Sequence, residues 1–296
     1  MFTCQYRLFL IPNLQQKGMN LVSPNFSDVM EPNVEIRKFP DSDVYVRIPG
    51  ISELQGEDVS LFHRLYPNQD TEILSALFLL DTLKRVGART TLVSPYLPYS
   101  RQDKTFREGE ALSAQALCGL LSHAGAHKLV TVDCHFLKKE GEAEYGGLKI
   151  DNRSANRLLV EHARKKLEAR ELELISPDQG ANYLVSDFGG KSMKKVRGEY
   201  QEGEEAYRTV EKVESEFDVR DKHVLILDDM ISTGGTMIEA VKNVKKGGAR
   251  TVLCAATHGF FLKNSLEKLK GLTDGVFTAN SILNPAAEVD ILPLLR

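Results

Sequence analysis

One arrangement of apolar and polar positions recurs three times along the chain, at residues 76–95 (ALFLLDTLKRVGARTTLVSP), 116–135 (ALCGLLSHAGAHKLVTVDCH) and 240–259 (AVKNVKKGGARTVLCAATHG). Each copy has apolar residues at helical spacing, then Gly-Ala, then a short β-branched apolar run. That order describes a helix, a glycine closing it, a tight loop and a buried strand. The predicted strands Thr91–Val93, Leu129–Val132 and Thr251–Ala255 are apolar on both faces, as parallel strands covered on each side by helices must be. Further strands are predicted at Tyr6–Ile11, Val44–Ile48, Glu173–Ile175 and Val224–Leu227, and helices near 69–86, 110–124, 152–168 and 234–247. Strands alternating with helices imply right-handed βαβ crossovers and mainly parallel sheets. Because the pattern lies on both sides of the middle, we expect two similar α/β domains, residues 1–150 and 151–296, meeting in the Gly-rich EYGGLKIDN stretch at 144–152. Residues 186–218 are densely charged and poor in large apolar side chains, which predicts a mobile loop or an exposed excursion.

Composition narrows the function classes. With 296 residues, 42% hydrophobic, 27% charged and a net charge of −3, the chain reads as an ordinary globular protein without the basic excess of a nucleic-acid binder. No apolar run is long enough to span a bilayer, and the start MFTCQYRLFLIPNLQQ has too short an apolar core for a signal peptide. Cys4, Cys118, Cys134 and Cys254 lie far apart with no C-x-x-C pair, which favours reduced thiols in a cytoplasm. Cys118, Cys134 and Cys254 sit in apolar patterns and are expected to be buried.

The candidate chemistry clusters where predicted strands end, the place where open parallel sheets bind ligands. In VLILDDMISTGGTMIEA, residues 224–240, an apolar strand runs into Asp228 and Asp229, and Ser232, Thr233, Gly234, Gly235 and Thr236 lead into a helix. Glycines admit a phosphate close to the backbone, and helix-start amides and hydroxyls donate to it. The aspartates suit ribose hydroxyls or magnesium-bound water better than phosphate. No Gly-Lys-Ser/Thr follows, so this is no Walker A loop. Four other stretches carry polar clusters. KFPDSDVYVRI presents Phe39, Asp41 and Asp43 on a turn, and SPYLPYSRQDK ends in Arg101, Gln102, Asp103 and Lys104, of which the cations suit phosphates and Gln and Asp a base edge or metal-bound water. VTVDCHF places Asp133 and His135 after a buried strand, and ISPDQGA places Asp178 and Gly180 in a tight turn.

The 224–240 stretch resembles the ribose-phosphate signature of the phosphoribosyltransferase fold. Taken in order, the segments near 40, 100, 135, 178 and 228, with ATHGFF and TANSI later, resemble the ribose-phosphate diphosphokinase family over nearly the whole chain. The shorter KKVRGEYQE stretch is similar to archaeal members. The resemblance implies two phosphoribosyltransferase-type domains. It also implies transfer of the diphosphoryl group of ATP to the anomeric hydroxyl of ribose 5-phosphate, with AMP released. His135 and Asp178 would hold magnesium with ATP; Asp228 and Asp229 would bind the sugar hydroxyls and Ser232–Thr236 the 5-phosphate. Phe39, Asp41 and Asp43 would reach ATP from a neighbouring subunit of a homo-oligomer, completing a nucleotide site with Arg101, Gln102, Asp103 and Lys104. Lys195 and Arg197, with Lys194 as a competitor, would stabilise the migrating group. Where the family usually has Gly-Glu after Phe-x-Asp, this chain has Ser42 and Asp43. The competing readings are a phosphoribosyltransferase using phosphoribosyl diphosphate, which would need only one such domain, and a non-catalytic synthetase-like subunit, which would be expected to lack metal or loop residues.

Overall fold

The computed structural model describes residues 19–201, 207–214 and 218–296, with only the backbone of 194–201 and 207–214. The predicted strand Tyr6–Ile11 and Cys4 lie outside the described residues. In the first half the chain forms β1 (Met19–Val22), β2 (Glu35–Lys38), β3 (Val44–Arg47), β4 (Asp58–Phe62), α1 (Gln69–Arg85), β5 (Arg89–Val93), α2 (Ser113–Ala124), β6 (Ala126–Val132), β7 (Gly141–Tyr145) and β8 (Leu148–Arg153). Then follow α3 (Asn156–Leu167), β9 (Glu173–Ser176), β10 (Lys191–Ser192), β11 (Lys194–Gln201), β12 (Tyr207–Glu214), β13 (His223–Ile231), α4 (Gly235–Lys246), β14 (Thr251–Gly259), α5 (Ser265–Leu272), β15 (Gly275–Ala279), β16 (Ala287–Val289) and α6 (Leu292–Leu295).

Each half is built on a six-stranded sheet, in the orders β1-β4-β5-β6-β8-β7 and β10-β9-β13-β14-β15-β16. All pairings are parallel except β7 with β8. The three Gly-Ala repeats turn from helix to strand through Gly87, Gly125 and Gly248, at φ 74°, 122° and 83°, a left-handed backbone that costs glycine little.

The two-faced strands divide their side chains between separate cores. Along β13, Val224 and Ile226 enter one cluster with α4 and α5, while Leu225 and Leu227 enter another with α3. Successive side chains of a strand point to opposite faces, so a run apolar at every position serves two cores. The α3-side cluster also takes in Phe62, Val93, Val130 and Val132 from the first sheet. The halves thus share one apolar core, while α1 and α2 cover the far face of the first sheet. Cys118, Cys134 and Cys254 are buried free thiols, as expected. No helix among the described residues is long and apolar enough to cross a membrane.

Several expected boundaries move. The predicted strand Val44–Ile48 pairs with β2 in a separate antiparallel hairpin rather than joining the parallel sheet. The helix expected at 152–168 starts at Asn156, because residues 148–153 form β8, hydrogen-bonded to β6. Gly146 and Gly147, at φ 58° and 77°, turn β7 into β8 within the first sheet. The expected division at 150/151 therefore falls inside β8. Within the charged 186–218 stretch, expected to hold a mobile loop or an exposed excursion, β11 and β12 pair antiparallel.

Candidate active site

At the end of β6, Val132 is followed by Asp133, a non-glycine residue at φ 41°. Its N–H donates to Arg153 O at 2.8 Å, and Cys134 N donates to Asn152 Oδ1 at 2.9 Å. Asp133 is buried and its Oδ2 accepts from Ala155 N at 3.0 Å and from Thr257 Oγ1 at 2.5 Å. Burial pushes its carboxyl up to about 6, against those donors. Two residues on, His135 is part-exposed, and its Nδ1 lies 2.6 Å from Asp229 Oδ2 of β13. Lys138 donates to His135 O at 2.7 Å, and its ammonium lies 4.9 Å from the centre of the Tyr183 ring.

The strand β13 delivers two adjacent carboxylates with opposite tendencies. Burial raises Asp228 well above the usual carboxylate range, and the charges of Asp229 and Asp178 add to that. Burial pulls Asp229 in the same direction, but the hydrogen bond and charge of His135 outweigh it and hold Asp229 below the usual range. Asp229 N donates to Asp228 Oδ1 at 2.9 Å, turning that carboxyl back towards the backbone. Asp178, at the end of β9, accepts from Gly180 N at 2.8 Å and caps the short 3-10 helix Gln179–Leu184.

Beyond β13, Ser232 O accepts from Leu262 N at 2.9 Å and from Ser265 Oγ at 3.0 Å, which pins the loop to the start of α5. Gly234 precedes α4 at φ 76°, and a Cβ there would come within 2.8 Å of Ser265 Cβ. Thr233 and Gly235 are exposed, Ser232 and Thr236 half-buried. The first amides of α4 have no partner within their own helix, so hydroxyls and amides of this loop surround a place suited to an anion.

The other predicted residues fall in three places. Arg101 lies at the seam of the two halves, with its Nε 2.8 Å from Met230 Sδ and its guanidinium 5.9 Å from the centre of the Phe260 ring. Gln102 Oε1 accepts from Ser113 Oγ at 2.5 Å, Asp103 O accepts from Tyr145 at 3.2 Å, and Lys104 is exposed. Phe39, Asp41 and Asp43 stand on the exposed turn between β2 and β3, where Phe39 N donates to Asp43 O at 2.8 Å and Phe39 packs edge-on against Tyr45. Lys194, Lys195 and Arg197 lie on β11, with Lys195 opposite Val213 and Arg197 opposite Val210; their side chains are outside the described residues. The structure thus brings His135 to Asp229 and sets Arg101 against Met230, the next residue along β13, while Phe39, Asp41 and Asp43 stand apart on their hairpin.

Sequence reasoning missed the seam itself. Tyr66, Tyr96 and Phe260 meet edge to face, with ring centres 5.1–6.2 Å apart, and His258 packs 4.9 Å from Tyr96. Burial pushes the Tyr96 hydroxyl up to about 12. The SPYLPY and ATHGFF stretches carried this signal, as aromatic residues at strand ends in both halves.

Two family models match the chain: the N-terminal domain of ribose phosphate pyrophosphokinase over residues 25–125, and the phosphoribosyl transferase domain over residues 181–284. Among curated relatives, the ribose-phosphate pyrophosphokinase of Pyrococcus furiosus is 35% identical over 266 residues, covering 88% of this chain and 90% of that one. That of Methanopyrus kandleri is 34% identical over 266 residues, covering 88% and 87%. Among solved structures, phosphoribosylpyrophosphate synthetase from Mycobacterium smegmatis superposes with a TM-score of 0.75 at 26% identity, covering 95% of this chain and 96% of that one.

Proposed function

The chain belongs to the ribose-phosphate pyrophosphokinase family, and we infer that it transfers the diphosphoryl group of ATP to the anomeric hydroxyl of ribose 5-phosphate. The products are phosphoribosyl diphosphate and AMP. The single observation that carries the assignment of residues is the 2.6 Å contact between His135 of the first half and Asp229 of the second. It supports one site in which a nucleotide held by the first half meets a sugar held by the second.

In this reading Asp228 and Asp229 accept from the ribose hydroxyls, and Ser232–Thr236 with the first amides of α4 hold the 5-phosphate. Such fixed contacts bring the anomeric oxygen in line with the β-phosphorus of ATP, where orientation lowers the barrier. Lys195 and Arg197 stabilise charge on the migrating group, and Arg101, Gln102, Asp103 and Lys104 bind the nucleotide. Magnesium is the implied cofactor. Its site is built with one or two protein ligands and substrate phosphates rather than an all-protein cage, and among the described residues no group of three ligating side chains forms such a cage. The crowding of Asp228 by Asp229 and Asp178 is a concentration of negative charge that a dication relieves, so the residues fit. His135 and Asp178 would hold the ion, which when bound neutralises charge on the phosphates.

The exposed Phe39 turn supports a nucleotide site completed by a neighbouring subunit, with Phe39, Asp41 and Asp43 reaching its ATP in a homo-oligomer. With Cys118, Cys134 and Cys254 unpaired, we place the protein in the cytoplasm. The test is incubation with ATP, magnesium and ribose 5-phosphate. Sugar-dependent AMP is expected; ADP would indicate an ordinary sugar kinase, and turnover only with phosphoribosyl diphosphate and a base would indicate a phosphoribosyltransferase.

A further inference from the structure

The turn that carries His135 is anchored twice, and the two sets of anchors come from different halves. Within the first half, Val132 N donates to Pro95 O at 3.1 Å, Asp133 N to Arg153 O at 2.8 Å and Cys134 N to Asn152 Oδ1 at 2.9 Å. These bonds fix the turn relative to its own sheet and say nothing of where Asp229 is. The second set comes from β14, the strand beside β13. Thr257 Oγ1 donates to Asp133 Oδ2 at 2.5 Å, and His258 Nε2 lies 3.0 Å from Val132 O. A carbonyl only accepts, so Nε2 carries a proton and donates it. The other ring nitrogen, then an acceptor, lies 2.9 Å from Ser281 Oγ, whose single proton can go either to it or to Thr257 O, 2.5 Å away. Thr257, His258 and Ser281 are all buried, and His258 stands opposite Met230, the residue after Asp229.

We propose that Thr257 and His258 are positioning residues for His135: they bind the Val132–Asp133 backbone and side chain across the seam and so set the His135 ring against Asp229. The physical reason is local. Asp133 sits at φ 41°, a left-handed backbone uncommon for a non-glycine residue, so the contacts on its side chain bear on the turn. One of those contacts comes from Thr257. Neither residue touches substrate; each acts through the turn, as hydrogen-bonded supports of metal-ligating histidines do.

The inference takes its assay from the diphosphokinase reading, so wild-type AMP formation is measured first; its absence would fault that reading. Thr257→Val keeps the shape and removes the hydroxyl, and should lower kcat by about tenfold with the melting temperature little changed. Thr257→Ser should stay within about twofold of wild type. In a His135→Ala background Thr257→Val should have no further effect, because the group it positions is gone. Wild-type kcat in Thr257→Val, or an equal further loss in the His135→Ala background, would overturn the proposal. Should Thr257→Val fail to fold, His258 decides by the same criterion. His258→Gln can still donate to Val132 O and should retain kcat, whereas His258→Phe should lose it; equal kcat in the two would contradict the role. Spectra of 15N-histidine-labelled protein read the geometry without turnover. The His135 Nδ1 signal should move in Thr257→Val and hold in Thr257→Ser, and an unmoved signal in both would also refute it.

Discussion

At the scale of single residues, the adjacent carboxylates of β13 are chemically unlike. Asp228 is raised above its ordinary range by burial and by its neighbours, so its contribution to stability is present at low pH and lost as pH rises through its folded-state value. Asp228→Asn removes that loss. The variant should melt higher than wild type above the ordinary carboxylate range, by a margin that grows with pH, while its KM for ribose 5-phosphate rises; melting curves over pH 4–9 with steady-state kinetics would check both. Two buried histidines have the opposite leaning. Burial lowers His63 and His258 to about 4, so the fold keeps them neutral. Stability should fall as pH drops from about 6.5, where the unfolded chain begins to take up protons, towards 4, and His258→Gln should flatten that fall. Lys195→Ala should reduce kcat by roughly 10²–10³, the usual loss of one donor to a developing charge, with substrate KM little changed. The sequence offered Asp228, Asp229 and His135 as candidates by residue type and place. It did not reveal which aspartate is held below the ordinary carboxylate range, because that depends on His135 arriving from 94 residues away.

Elements explain how the site is held. The loop from β13 to α4 depends on Gly234, whose φ of 76° and 2.8 Å approach to Ser265 Cβ leave no room for a side chain. Gly234→Ala should destabilise the protein by about 1–3 kcal/mol and weaken ribose 5-phosphate binding, read by denaturant titration and calorimetry. Elements with strong patterns were legible: α1, α4, β5, β6, β13 and β14 lie where helical spacing and two-faced apolar runs put them. The misreadings have physical causes. EYGGLKIDN reads as a domain boundary because two glycines interrupt it, and those same glycines turn β7 into β8. Val44–Arg47 has strand propensity, and nothing local says whether its partner is a parallel sheet or β2. The charged 186–218 stretch has too few apolar residues for a core, and its charge does not show that β11 and β12 pair within it.

For the whole molecule, the shared core is the feature that periodicity could not show. Leu225, Leu227, Leu253 and Ala255 of the second sheet join Phe62, Val93, Val130 and Val132 of the first, so the sheets form one body. The repeat indicates two similar halves; which faces meet depends on packing over long sequence separations. The proposed sharing of the nucleotide site between subunits has a direct consequence. Phe39→Ala and Arg101→Ala should each be nearly inactive alone, and mixing them under subunit exchange should restore part of the activity, because some sites then receive both wild-type segments. Mixing without recovery would place both residues in one chain's site. The claim on which the rest depends is the direction of transfer, and 31P NMR of the protein with ATP, magnesium and ribose 5-phosphate tests it most directly. Expected are AMP and an anomeric sugar diphosphate growing in equal amounts with no ADP. Growth of ADP with a sugar monophosphate ester, or an unchanged ATP spectrum, would contradict it.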